Sequence, residues 1–425
     1  MSPPPIEVPV VEQPASTRES SLFADRNFLA LWLIAIVANL GEKLFFIFLI
    51  FLGDQANHSN SLVSAISLAF SIPTVVFGSI AGVIVDRISM RFSMIVAGLL
   101  RAALVMLLPF AGHGVLPLLG FAFGFSILSR FHDPAFMKAI PTILPKEQFM
   151  AANSVFMTTM VGALIGSFAI AGPLWHWLTP RHAQWVVVSL YLLAALGAAF
   201  LRIPHTPIPK EELSSFWDEW RFAFSYLKAH PRLLKAYSMT MTMFGTMAAI
   251  NVIAKGFSIS ALGAKHATDF TTILAVAGVG MIIGATALGR WGPTIPKPRL
   301  VRAGFLISGI SMLVISLVGR YSHAIGLYHA WQLVLGLALI LGSGLVCIEI
   351  PVSTLVQEGV EEKVRGRIFA VQAVLMNLAS TLPMAVAGPL ADWWGPAIVM
   401  GFFGLGMTGM SFMRLSDPAE YQLLE

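Results

Sequence analysis

Glu42 and Lys43 sit side by side in NLGEKLFF, within a predominantly apolar run over residues 28–52. A charge at the centre of a bilayer costs about 2.5–3.5 kcal/mol on insertion scales, so such groups face protein or a watery cavity and mark ion or solute paths. An apolar setting favours the neutral form of a carboxylate, which a proton-carrying step requires. Glu42 is therefore the first candidate for that step. A salt bridge to a neighbouring helix, for instance to Arg101, and direct contact with a solute are the competing roles. Adjacent helical residues point about 100° apart, so Lys43 cannot share Glu42's direction, whereas Asn39 can share its face. Arg101 lies about ten residues into its own run. Arginine does not practically deprotonate, so it reads as a charge partner or solute anchor.

Other groups invite chemistry more weakly. Arg130 and Asp133 are three residues apart and can pair on one helix; Asp133 and Glu349 can instead belong to a gate at the inner side, with His132 in local hydrogen bonding. Lys255 lies near the outer end of its run, where it can snorkel to the interface. Met239, Met241 and Met243 in YSMTMTMFGTM, with Asn39 and Phe46, suit a flexible apolar solute pocket, although a methionine stripe also serves plain packing. The close small pairs Gly120–Gly124, Gly162–Gly166 and Gly280–Gly284 read as packing devices. No Walker-type phosphate loop, HExxH, GxSxG or paired CxxC occurs. The expectation is a chain that is not an enzyme, without cofactor or metal.

The elements that must hold these groups follow from composition. Of 425 residues, 56% are hydrophobic and 12% charged, against about 25% charged in soluble domains; the mean hydropathy is +0.78. Such a chain cannot cover itself with polar groups, so lipid is its solvent. A hydrocarbon core of roughly 30 Å takes about 20 apolar residues per helix. Twelve runs qualify: 28–52, 62–85, 92–112, 115–136, 151–174, 184–203, 233–256, 268–289, 300–319, 329–353, 367–390 and 396–414. They are apolar all round and lack the period-two alternation of barrel strands. The polar, Pro-rich start (MSPPPIEVPVVEQPASTRESS) reads as a disordered tail and does not resemble a signal peptide. Cys347 is the single cysteine, which excludes an intramolecular disulfide.

Lys and Arg set the orientation, because loops rich in them stay cytoplasmic. With both termini inside, 21 of the 27 fall on the cytoplasmic side, three outside and three within runs. This asymmetry also accounts for the pI near 9.4 without nucleic acid as a partner. The expected organisation is a cytoplasmic tail (1–27), a six-helix bundle (28–203), a cytoplasmic linker (204–232), a second bundle (233–414) and a short tail (415–425). In the linker, Leu213, Phe216, Trp220, Phe224 and Leu227 recur at helical spacing, as an amphipathic helix requires. The halves are related: AGPLWHWLTP (171–180) matches AGPLADWWGP (387–396) at an offset of 216, which also carries Asp133 onto Glu349. Two parallel six-helix halves are a plan of secondary transporters.

The connection between the second and third runs, GVIVDRISMRFS (82–93), carries a family resemblance. Gly82, Asp86, Arg87, Ser89 and Arg91 resemble the loop 2–3 motif of the major facilitator superfamily, with Ser89 in place of the motif's second Gly and Phe92 in place of its last basic residue. FHDPAFMKAIPTILPKEQFMAANSV (131–155), FWDEWRFAFSYLKAHPRLLKA (216–236) and RGRIFAVQAVLMNLA (365–379) are similar to its macrolide-efflux and enterobactin-exporter branch. The resemblance implies an all-α membrane protein of twelve transmembrane helices in two pseudo-symmetric bundles. It implies export of a small amphipathic solute against a proton gradient, as a monomer in the bacterial inner membrane. In the family the loop latches the halves on the cytoplasmic side. An Asp86 carboxylate capping the amides at the start of the eleventh helix would do this, with Arg87 and Arg91 pairing with carboxylates such as Asp133 or with lipid phosphate, and with Gly78 and Gly82 admitting a neighbouring helix. Uptake, a lipid-like solute, or a solute sensor that moves nothing are the other readings.

Overall fold

The computed structural model describes residues 22–85, 87–110, 114–145, 148–178, 180–202, 221, 225, 228–266, 268–359 and 362–413. Twelve long helices run through them: α1 (Arg26–Ala56), α2 (Asn60–Val85), α3 (Met90–Leu107), α4 (Val115–Ile143), α5 (Phe149–Trp177), α6 (Pro180–Phe200), α7 (Pro231–Ser260), α8 (Phe270–Trp291), α9 (Lys297–Arg320), α10 (Leu327–Gly359), α11 (Glu362–Trp394) and α12 (Pro396–Met410). Ten, α1 to α10, contain stretches long and apolar enough to cross a bilayer on that measure alone. α11 has 33 residues and α12 has 15. The helices alternate in direction. The end at which the chain enters α1 is called proximal here and the opposite end distal.

Local chemistry sets the helix ends. Asp25 accepts from the backbone N–H of Asn27 and Phe28 and starts α1. Ser89, the departure from the loop motif, accepts from Phe92 N–H at 3.0 Å and caps α3. A side-chain oxygen at this position satisfies an amide the helix leaves free. Gly395 turns the chain from α11 into α12 with φ 86°, a conformation that favours glycine. Several helices extend beyond their apolar runs; α4 and α10 end seven and six residues later than hydropathy alone implies (Ile143 against 136, Gly359 against 353).

Packing repeats with a period of six helices. α1 packs on α4, α5 and α6, α2 on α4, and α3 on α4 and α6; α7 packs on α10, α11 and α12, α8 on α10, and α9 on α10 and α12. The principal contacts between the halves, α2 with α11 and α5 with α8, exchange with each other under the same shift. Pro173 in α5 and Pro389 in α11 are the two prolines of the repeated AGPL. The fold is two pseudo-symmetric six-helix bundles, as parallel transporter repeats are. The amphipathic stretch 213–227, by its five apolar positions, and most of both tails lie outside the described residues.

Candidate functional site

A cavity of about 650 Å³ lies at mid-depth and toward the proximal end, between the bundles. α1 brings Asn39, Glu42, Lys43 and Phe46 to it, α3 brings Arg101, and α4 brings Arg130, His132 and Asp133. The second half supplies Asn251 from α7 and Asn377 and Met384 from α11. Phe70, Met160, Leu164 and Phe168 give it an apolar wall. Charged residues scattered over three helices thus meet in one chamber.

The charges are paired unequally. Lys43 Nζ lies 3.1 Å from Glu42 Oε1, so these neighbours meet through their flexible ends although their Cα–Cβ bonds diverge. Ser129 donates to the other Glu42 oxygen at 3.3 Å. The anticipated Glu42–Arg101 pair is not formed. Arg130 pairs with Asp133 at 3.2 Å along α4, and His132 Nδ1 lies 3.5 Å from Asp133. Arg101 is 1% exposed; its guanidinium lies 4.6 Å from the centre of the Tyr191 ring, and its Nε donates to Ala97 O. Its Nη2 and His132 Nε2 are buried without a hydrogen-bond partner.

Several sequence-level placements need correction. Met239 and Met243 are buried in the core, not in the cavity, and Met241 lines a separate groove with Gly245, Leu382 and Phe402. Glu349 does not join Asp133: it is not among the cavity-lining residues, and its Oε2 is buried without a partner. Arg91 donates to Ala199 O at the end of α6, Arg87 is exposed, and neither pairs with Asp133. Among the described residues, no atom outside its own helix would come within 4 Å of a Cβ on Gly78. Gly120, Gly162 and Gly166 are equally open, whereas Gly280 and Gly284 meet the backbone of α10. Asp86, and the side chains of Gly82's neighbourhood and of the start of α11, lie outside the described residues.

The distal end is closed by contacts that local spacing did not reveal. Lys255 does not snorkel: at 1% exposure its Nζ lies 2.7 Å from Asp54 Oδ1, joining α7 to α1. Asp54 also meets His58 Nδ1 at 3.1 Å. At the end of α11, Asp392 accepts from Asn60 N–H and its side-chain amide at 2.8 and 2.9 Å, and from Ser61 N–H and hydroxyl at 2.9 and 2.5 Å. The carboxylate thus caps the N-terminus of α2, where free amides and the helix dipole favour an anion. Burial pushes Asp392 up, but these four hydrogen bonds outweigh it and hold the group below its ordinary value. His176, 216 positions earlier, shares a hydrogen bond of 2.9 Å with Thr268 beside the start of α8. The two halves therefore latch each other through equivalent helix pairs. The repeated AGPL was the available signal; partners some 330 residues away were not readable from it.

A twelve-helix bundle of two related halves around a charged chamber narrows the choice of families, and comparison decides it. The model of the Major Facilitator Superfamily matches residues 31–383. The chain belongs to the major facilitator superfamily. It is 25% identical over 379 residues to macrolide efflux protein A of Streptococcus pyogenes, covering 86% of this chain and 89% of that protein. To the multidrug efflux pump Tap of Mycolicibacterium fortuitum it is 23% identical over 421 residues, covering 90% and 95%. The solved structure of the nucleoside transporter NupG matches with a TM-score of 0.68 at 12% identity, covering 90% of this chain and 97% of that one, which speaks for the fold alone. As a member of the superfamily the chain is an integral membrane transporter and not an enzyme.

Proposed function

We propose that this superfamily member exports a small amphipathic solute against a proton gradient, with its termini in the cytoplasm of a bacterial cell and its proximal end inside. The supporting observation is the cavity: it draws residues from both halves, carries its charged groups on α1, α3 and α4, has an apolar wall at Phe70, Met160, Leu164 and Phe168, and lies below a distal seal. A chamber bounded by two related bundles suits alternating access, in which residues 28–203 and 233–414 rock about it. The Lys and Arg asymmetry supports the orientation, and the efflux relatives support the direction. Glu42 takes the proton: it is the carboxylate of α1 at mid-depth, faces the chamber, and is held by one lysine and one hydroxyl rather than a closed ionic network. Asp86 supplies the proximal latch.

Flux into and out of proteoliposomes under an imposed pH gradient tests this reading, with dyes, macrolides and siderophores as solutes. Proton-driven solute accumulation in the export direction is expected. Solute movement without proton movement overturns the antiport step, and accumulation in the opposite direction overturns export.

A further inference from the structure

The two ion pairs in the cavity consume four of its charges and leave one cation over. Lys43 answers Glu42 and Arg130 answers Asp133, while no carboxylate among the described residues pairs with Arg101. Glu42 and Asp133 lie within electrostatic range of it, but each has its own nearer cation. An unpaired guanidinium buried at mid-membrane is a costly arrangement. The Tyr191 ring face offsets part of that cost, and the Ala97 carbonyl takes one N–H. One terminal nitrogen, Nη2, still has no acceptor.

The second open valence lies on the facing helix. Helical side chains lean toward the N-terminus of their own helix. α3 and α4 run antiparallel and are packed together, with Ser93 Oγ donating to Phe131 O near the proximal end. Arg101 therefore leans proximally and His132 leans distally, so the two converge on the chamber. His132 is 5% exposed; Asp133 stands at its Nδ1, Phe136 stacks on its ring, and its Nε2 is unpartnered. With Nδ1 toward Asp133 the neutral ring offers Nε2 as an acceptor; an anion bound beside it favours the protonated ring, whose Nε2–H then donates to that anion. A planar acceptor carrying one negative charge satisfies the guanidinium nitrogen and this N–H together, and guanidinium matches carboxylate geometry closely.

We infer that the cavity recognises an amphipathic carboxylate, with the carboxylate held between Arg101 and His132 and the apolar body against Phe46, Phe70, Leu164, Phe168 and Met384. This rests on the transport reading for its biological meaning and goes beyond it by fixing the charge class of the solute. A cationic solute would meet the surplus guanidinium at the same place.

Three probes of one skeleton test it: 1-naphthaleneacetate, the uncharged 1-naphthaleneacetamide and 1-naphthylethylammonium. Their binding to the full chain in nanodiscs is measured by equilibrium dialysis against empty nanodiscs. The carboxylate is expected to bind at least tenfold more tightly than the amide, and the ammonium least. Arg101→Met should weaken the carboxylate at least tenfold and the amide less than twofold. Arg101→Lys, which keeps the charge and loses the planar fork, should keep the preference with a two- to fivefold loss. His132→Ala should lower the preference without reversing it. Equal or tighter binding of the amide or ammonium, no carboxylate binding above the lipid baseline, or an equal loss of all three probes in both Arg101 variants overturns the inference; the last is what a purely structural arginine gives. If the carboxylate binds selectively yet is not moved in proteoliposomes, the transport reading fails and this one stands.

Discussion

Glu42 concentrates the residue-scale question. Its carboxylate is held by Lys43 and Ser129, so Glu42→Gln retains the hydrogen bond from Ser129 while removing the titratable group. The substitution should abolish gradient-driven accumulation and leave downhill solute exchange within about twofold. Unchanged accumulation under an imposed pH gradient would remove Glu42 from the coupling step. The Asp54–Lys255 pair makes a different kind of prediction. Removing one partner of a buried pair strands the other, at about 3–5 kcal/mol, whereas replacing both by apolar residues of similar volume is often near neutral. Lys255→Met alone should therefore lower the thermal midpoint in detergent more than Lys255→Met combined with Asp54→Leu does. Equal or additive losses would show that the pair's worth lies in its contacts rather than in mutual neutralisation. Of these residues, Glu42 and Arg101 were legible in the sequence because each interrupts an apolar run. Asp54 was not, because it stands just past the end of one and its partner is 201 residues away.

At the scale of elements, the sequence yielded the helices but not their ends. Hydropathy stops reporting where the chain leaves hydrocarbon, whereas helical hydrogen bonding continues until something stops it, and in α4 and α10 nothing does for another turn or more. The small pairs show the same limit. Four-residue spacing looks alike in α4, α5 and α8, yet only the last is approached by a backbone. Ser343 Oγ donates to Gly280 O at 2.8 Å, and a Cβ on Gly280 would collide with the Leu339 carbonyl of α10; one on Gly342 would collide with the Ala277 carbonyl of α8. Which face of a helix meets another is a property of the bundle, not of the stretch. Gly280→Ala should thus force α8 from α10 and cost about 1–3 kcal/mol, as overpacking generally does. Gly162→Ala, with open space around it, should leave the thermal midpoint unchanged or slightly raised through its better helix propensity. Equal midpoints for the two variants would deny that α8 and α10 are locked at this crossing.

For the whole molecule the question is what holds the halves shut at the distal end. Asp392 on Asn60 and Ser61, and His176 on Thr268, sit on helix pairs exchanged by the internal repeat, so the seal has two related latches with different chemistry. The Asp392 latch is ionic and its acid response has a definite sign. Because hydrogen bonding in the closed state holds this carboxylate below its ordinary value near 3.8, its contribution is complete above that value and is lost as pH falls through the lower one. The Asp392 contribution to distal closure should then be flat between about pH 5 and 8 and weaken below about pH 4. Spin labels placed at Trp177 and Trp393, exposed distal positions in the two halves, report the separation in a Cys347→Ser background. Asp392→Ala should populate the longer distance at neutral pH: losing about 1.4 kcal/mol of closure enriches the open form tenfold. The same variant should lose the acid response that the parent shows. A parent distance that lengthens between pH 8 and 6, or an Asp392→Ala variant as closed as its parent, would move the seal from this carboxylate to His176 and the Asp54–Lys255 pair.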